Sequence, residues 1–204
     1  MLNDLDLLPW PSLRHAFGDA TEVPRLIREL SSTQRESRQA ALKELFACLF
    51  HQGSVYEATA AAVPFLFELL ADEATPERNW LAFLLASIAD GQGYLKIHIG
   101  SDEQRWRQLL AERGTTLEAE LQREDEVVRA VRVAVGRRIE RLAPFLDDSQ
   151  SEIRAAVARA FGQFPERAAE LLPHLEAAAT RETADDALAA LRLSVAKLRD
   201  ARAD

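Results

Sequence analysis

The chain carries one cysteine, Cys48, so no disulfide can form within it, and this usage fits a reducing compartment. Its four histidines, His15, His51, His98 and His174, never fall into H-x-x-x-H or H-E-x-x-H, which leaves no zinc pattern. Glycine is scarce, at 8 residues, and G-x-S-x-G is absent. Gly91-Gln92-Gly93 lacks both the third glycine and the Lys-Ser/Thr that a phosphate loop needs. The longest apolar runs, over 58–67 and 80–89, fall well short of the ~18 residues of a membrane span. Basic residues are the minority charge, 25 against 33 acids, giving a net charge of −8. That balance argues against a general nucleic-acid or anionic-membrane binder. The opening Met1-Leu2-Asn3-Asp4-Leu5-Asp6 is acidic, without the basic start of a signal peptide. The sequence therefore predicts a cytoplasmic protein with no membrane partner, no metal, no cofactor and no catalytic residue.

What is present is helical. Ala, Leu, Arg and Glu dominate, and runs of β-branched residues are nearly absent. Apolar residues recur every three or four positions, as in Ala41, Leu42, Leu45, Phe46 and Leu49. They do so again in Val128, Val131, Val135, Ile139, Leu142 and Leu146, so that Asp125–Leu146 reads as amphipathic helix. Asp19 or Thr21 can cap a helix with Pro24 in its first turn, and Thr75-Pro76-Glu77 reads as a second start signal. Ser54, Ser149 and Ser151 are further caps; Gly18, Gly53, Gly91, Gly93, Gly114 and Pro165 read as breaks. Cys48 lies in an apolar helical run and is expected in the core.

Three segments superimpose without gaps, beginning at Val23-Pro24-Arg25-Leu26, Val63-Pro64-Phe65-Leu66 and Ile139-Glu140-Arg141-Leu142. The offsets are 63 − 23 = 40 and 139 − 63 = 76, twice 38, so one copy is skipped near 101–136. A looser copy starts at Glu166. Each reads as helix, turn, helix: an apolar pair ends the first helix, a small or acidic residue makes the turn, and Arg opens the second. Asp72…Arg78 and Asp148…Arg154 share a six-residue spacing, and Ser32 takes the acid's place in the first copy.

This pattern resembles HEAT repeats. Phe50-His51-Gln52-Gly53-Ser54-Val55-Tyr56-Glu57-Ala58-Thr59, followed by Ala62-Val63-Pro64-Phe65-Leu66, is similar to a group of bacterial HEAT-like proteins. HEAT arrays also occur among immunity proteins of toxin systems. The resemblance implies an all-α, right-handed solenoid of about five helical hairpins, a single repeat domain over 1–204 with an enlarged third repeat at about 91–136. It implies a ladder in which Asp72, Arg78, Asp148 and Arg154 tie neighbouring repeats together. Prolines inside first helices, Pro64, Pro144 and Pro173, suit the bent first helix of such units.

Function is read from surfaces. In the repeat alignment Phe83 takes the place of Lys43 and Arg159, and Trp80 that of Ala40 and Ala156. Two aromatics at i, i+3 where sister repeats are charged or small form a candidate contact patch, because second helices line the concave side. The competing expectation is that the larger third repeat covers them. From Glu44 to Glu103 nine acids face two bases, and Glu77 and Asp90 lie in this acidic stretch. His51-Gln52-Gly53 reads as a helix C-cap with Gly53 left-handed, or, with Tyr56 and Glu57, as a polar-aromatic contact patch. Tyr94-Leu95-Lys96-Ile97-His98-Ile99 alternates and reads as a short extended segment, either a functional loop or a plain insertion. The expected function is non-catalytic binding of another, basic protein through an acidic, aromatic-bearing concave face, possible partners including a toxin domain. The alternatives are a HEAT-like enzyme of bilin-lyase or alkylated-DNA glycosylase type, or an assembly adaptor.

Overall fold

The computed structural model describes residues 2–100 and 102–203. Helix makes up 72% of it, as an all-α composition requires. Among the described residues there are ten α-helices, four 3-10 segments and two two-stranded hairpins. The chain divides into two compact units, the first made of 2–63 with 91–134 and the second of 64–90 with 135–204.

In the first unit, β1 (Arg14–His15) and β2 (Gly18–Asp19) form an antiparallel hairpin. Helix α1 (Val23–Glu29) follows, with Pro24 in its first turn where a missing N–H costs nothing. Helix α2 (Arg35–Leu49) packs on α1 and buries Ala41, Leu42, Leu45, Cys48 and Leu49, the stripe that its spacing predicts. The segment after α2 differs from the expected helix cap. Phe50–His51 is strand β3, paired antiparallel with β4 (Ser54–Val55). Gln52 (φ 51°) and Gly53 (φ 89°) are both left-handed, the two-residue turn that suits hairpin twist. Strand β4 is held on its other side, Val55 N–H donating to Gln92 O at 3.0 Å and Gln92 N–H to Gly53 O at 2.9 Å. Helix α3 (Glu57–Ala71) therefore starts three residues after Ser54. The Thr59 hydroxyl caps it, accepting from Tyr56 N–H at 2.9 Å and donating to Leu49 O at 2.7 Å.

The enlarged segment holds three helices: α5 (Tyr94–His98), α6 (Glu103–Glu112) and α7 (Leu117–Gly136). Leu95, Leu110 and Leu117 are buried together, with Ile99, Trp106 and Leu121 packed around them. Tyr94–Ile99 is thus a helical turn and not an extended segment. Leu95 and Ile99 are four apart, and six residues are too few to separate that spacing from alternation.

In the second unit, α4 (Arg78–Ala89) begins at Arg78, later than Thr75-Pro76-Glu77 suggests, because Glu77 is left-handed at φ 51°. The predicted amphipathic helix over 125–146 is interrupted: α7 stops at Gly136, and Ile139–Asp147 is 3-10, not α-helical. Pro144 offers no N–H and crowds the carbonyl four residues back, which favours the tighter coil. Helix α8 (Ser151–Phe161) packs against both α4 and α10 (Asp185–Ala203), while α9 (Ala168–Arg181) packs on α10. Ala155, Ala156, Ala158 and Ala160 are buried on α8, and their small side chains allow close helix contact. At the end of α8 a Cβ on Gly162 would lie 2.7 Å from Ser194 Oγ.

One turn recurs in four copies. Ser32 Oγ accepts from Gln34 N–H (3.2 Å), Asp72 Oδ1 from Ala74 N–H (3.0 Å), Asp148 Oδ1 from Gln150 N–H (3.0 Å) and Glu182 Oε1 from Ala184 N–H (2.9 Å). In each case a side-chain oxygen closes the turn two residues on. Six residues after three of these stand Arg38, Arg78 and Arg154, with Leu188 after the fourth. Arg38 donates to Ser32 O at 2.9 Å and Arg154 to Asp148 O at 2.7 Å. Arg78 instead reaches Leu70 O at 2.9 Å.

Candidate functional site

The second unit places Trp80 and Phe83 on the outward face of α4, at 50% and 42% exposure. Their rings meet edge to face at 6.1 Å between centroids. Both aromatics are thus partly open to solvent. They border a groove of about 390 Å³ completed by Asn79 on α4, Glu152, Ala155 and Arg159 on α8, and Asp186 on α10. Ala155 is buried and forms the floor, because a small residue there lets α4 and α8 approach. Glu152, Arg159 and Asp186 are exposed, and none makes a side-chain hydrogen bond or ion pair among the described residues. The groove thus offers two apolar rings beside two exposed carboxylates, of which Asp186 also acts electrostatically on Arg154, and one cation. Glu77 and Asp90 flank opposite ends of α4, and neither lines the groove.

The arginines below this surface are committed elsewhere. Arg78 Nη2 lies 3.3 Å from Asp148 Oδ2, with both side chains at most 15% exposed, and its guanidinium stands over the Phe145 ring at 5.3 Å. Arg154 makes a two-pronged pair with Glu182 at 2.7 Å on each prong. Through that pairing, Arg154 holds the Glu182 carboxyl down at about 2. Each arginine thus joins the turn acid of the next hairpin in its unit. Arg78 does not pair with Asp72 in its own turn: that carboxylate is used on Ala74 N–H. Glu182 is a rung that the six-residue spacing did not mark. Its cue was the acid at the start of the last hairpin turn.

The first unit holds a different constellation. His51, Tyr56 and Glu57 line a hollow of about 350 Å³ with Arg14, His15, Tyr94, Arg113, Glu120, Arg123, Glu124 and apolar neighbours. Gln52 sits exposed at the tip of the β3–β4 hairpin and is not part of the wall. His15 and His51 occupy the same position, the second residue of each hairpin's first strand, and Phe17 meets His51 edge to face at 5.1 Å. That repeated His-turn-Gly was the sequence cue to the hollow. His15 is 7% exposed and fully used: Nδ1 accepts from Phe17 N–H at 3.0 Å and Nε2 meets Glu22 at 2.5 Å. Glu57 accepts from Arg14 N–H at 3.0 Å and from Arg123 at 3.2 Å, and Arg123 also grips Glu120 at 2.5 Å. Glu124 is buried and takes the Leu95 N–H on both oxygens, at 3.0 and 2.9 Å; burial pushes its carboxyl above the usual range. Burial also pushes the half-buried Tyr56 hydroxyl up.

Cys48 is 4% exposed, and burial drives its thiol up to about 12, so it behaves as a small apolar side chain. Among the described residues no three His, Cys, Asp or Glu side chains converge in a metal-binding arrangement. Among the described residues no helix is long and apolar enough to cross a membrane.

Comparison with protein-family models and with curated proteins finds no match. Among solved structures, the chain is similar to the crystal structure of an engineered protein at 19% identity. The match covers 90% of this chain and 88% of that one, with a TM-score of 0.37.

Proposed function

We propose that the chain is a non-catalytic protein-binding module that receives a basic segment of another protein on the outward faces of α4, α8 and α10. The observation that carries this reading is the exposed Trp80–Phe83 pair beside the exposed carboxylates of Glu152 and Asp186. An arginine or lysine side chain laid on Trp80 gains ring contact and charge pairing at one point. Each of these helices is the second of a helix-turn-helix pair, which supports the reading of a right-handed HEAT-like solenoid whose second helices present the binding face. The narrower form of the proposal is an immunity role, in which a net charge of −8 complements a basic toxin domain and steers its approach.

The experiment is affinity capture followed by titration of the captured partner against wild type, Trp80→Ala and Phe83→Ala. Each truncation is expected to weaken binding by more than ~1–2 kcal/mol with little loss of stability. Glu152→Lys with Asp186→Lys should slow association, and less so at high salt. Unchanged affinity together with a stability loss of ~3–5 kcal/mol per truncation would assign the pair to the core and overturn the proposal.

A further inference from the structure

The charges lining the hollow of the first unit are equal in number but unevenly paired. Its lining holds three guanidinium groups, Arg14, Arg113 and Arg123, and three carboxylates, Glu57, Glu120 and Glu124. The carboxylates are spoken for. Glu57 and Glu120 both sit on Arg123, and Glu124 faces the backbone of α5 with both oxygens. His15 contributes no free polar atom, since each ring nitrogen already has a partner. The guanidinium groups of Arg14 and Arg113 are left over. Neither makes a side-chain hydrogen bond or ion pair among the described residues, and both act electrostatically on Glu120 in the same wall. Arginine keeps its charge at every physiological pH, so two unpaired forks stand at one opening in a chain of net charge −8.

The rest of the wall is aromatic and apolar. It comprises the Tyr56, Tyr94 and His51 rings with Val55, Val127 and Ala16. Tyr94 is braced by His98 at 4.4 Å and Trp106 at 6.0 Å between ring centroids. A volume of about 350 Å³ lies in the size class of small-molecule clefts, where a few polar groups orient a mostly apolar body. We propose that this hollow binds a small organic anion, with Arg14 and Arg113 gripping its phosphate or carboxylate and Tyr56 and Tyr94 flanking its body. Oxyanions that present two oxygens side by side, as carboxylate and phosphate do, are the groups that planar arginine forks match.

The test uses phenyl phosphate, benzoate and, as an uncharged control, benzyl alcohol, titrated calorimetrically into the full chain. The expected result is saturable binding of at least one anion and none of the alcohol; phosphate-only or benzoate-only binding identifies which oxyanion the site takes. Arg14→Gln and Arg113→Gln should each weaken that binding by about tenfold or more, and Arg14→Lys by less, because charge survives without the fork. Arg25→Gln, which removes an exposed cation away from the hollow, should leave it unchanged. Absence of binding by both anions, or equal affinity in wild type and the Arg14→Gln/Arg113→Gln double variant, overturns the inference. The exposed guanidinium groups make no folding contacts, and unchanged far-ultraviolet circular dichroism verifies the variants. The site shares no residue with the Trp80 groove, so either reading can fail without the other.

Discussion

Replacing Glu182 by Gln is expected to destabilise the protein by about 1–2 kcal/mol at pH 7 and by almost nothing in strong acid. The carboxylate is 3% exposed in its pair with Arg154, whose side chain is 17% exposed. Glu182 also accepts the Thr183 and Ala184 N–H groups, both at 2.9 Å, which an amide oxygen can still do. Lowering a carboxyl from 4.5 to about 2 corresponds to about 3 kcal/mol at most. The pair opens onto a shallow hollow lined by Asp147, Asp148, Arg181 and Thr183, so solvent screening reduces that figure to about 1–2 kcal/mol. Because the folded carboxyl titrates below the unfolded one, the stabilisation is complete above pH 4.5 and is lost as pH falls towards 2. Thermal melts of wild type and E182Q should therefore differ by about 2–8 °C at pH 7. At pH 3 more than half of that gap should have closed. A gap of equal size at both pH values would show that the ionised pair is not its source.

Three further outcomes follow from buried or strained positions. Native Cys48 should resist thiol reagents until the protein unfolds, and Cys48→Asp should cost several kcal/mol by denaturant titration, since it buries an unpaired charge. Gly93→Ala should cost about 1–3 kcal/mol in the same assay, because the new Cβ would lie 2.9 Å from Glu124 Cβ and displace the carboxylate that holds Leu95. Gln52→Asn should raise the melting temperature slightly, by about 0.5 kcal/mol of stability, because Asn tolerates the left-handed turn position better than Gln.

Much of the helical framework was legible because burial imposes a period. The stripe on α2 follows directly from residues spaced three and four apart. Trp80 and Phe83 stood out for the opposite reason, being large where sister repeats are small or charged. The hollow in the first unit was only partly legible. His51, Tyr56 and Glu57 were singled out, but Arg14, Arg113 and Glu124 come from stretches far away in sequence, and no local spacing joins them. The hairpins were hidden because strands of two residues show no alternation. The sequence marked Arg78 and Asp148 as ladder residues but not as each other's partners, because a six-residue spacing is local and the pairing reaches a later hairpin.

That last contact sets an order of assembly. Helix α4 emerges from the ribosome long before α8, with about 60 residues of other helices and loops between them. At ~5–20 residues per second, that interval is about 3–12 s. Throughout it the apolar face of α4, with Leu81, Leu84, Leu85 and Ile88, has no α8 to close upon. The chain must shield that face by other means during synthesis, or else enclose it late. Arg78 and Asp148 then act as a latch rather than a nucleus. Weakening them should speed opening of the second unit more than it slows its formation.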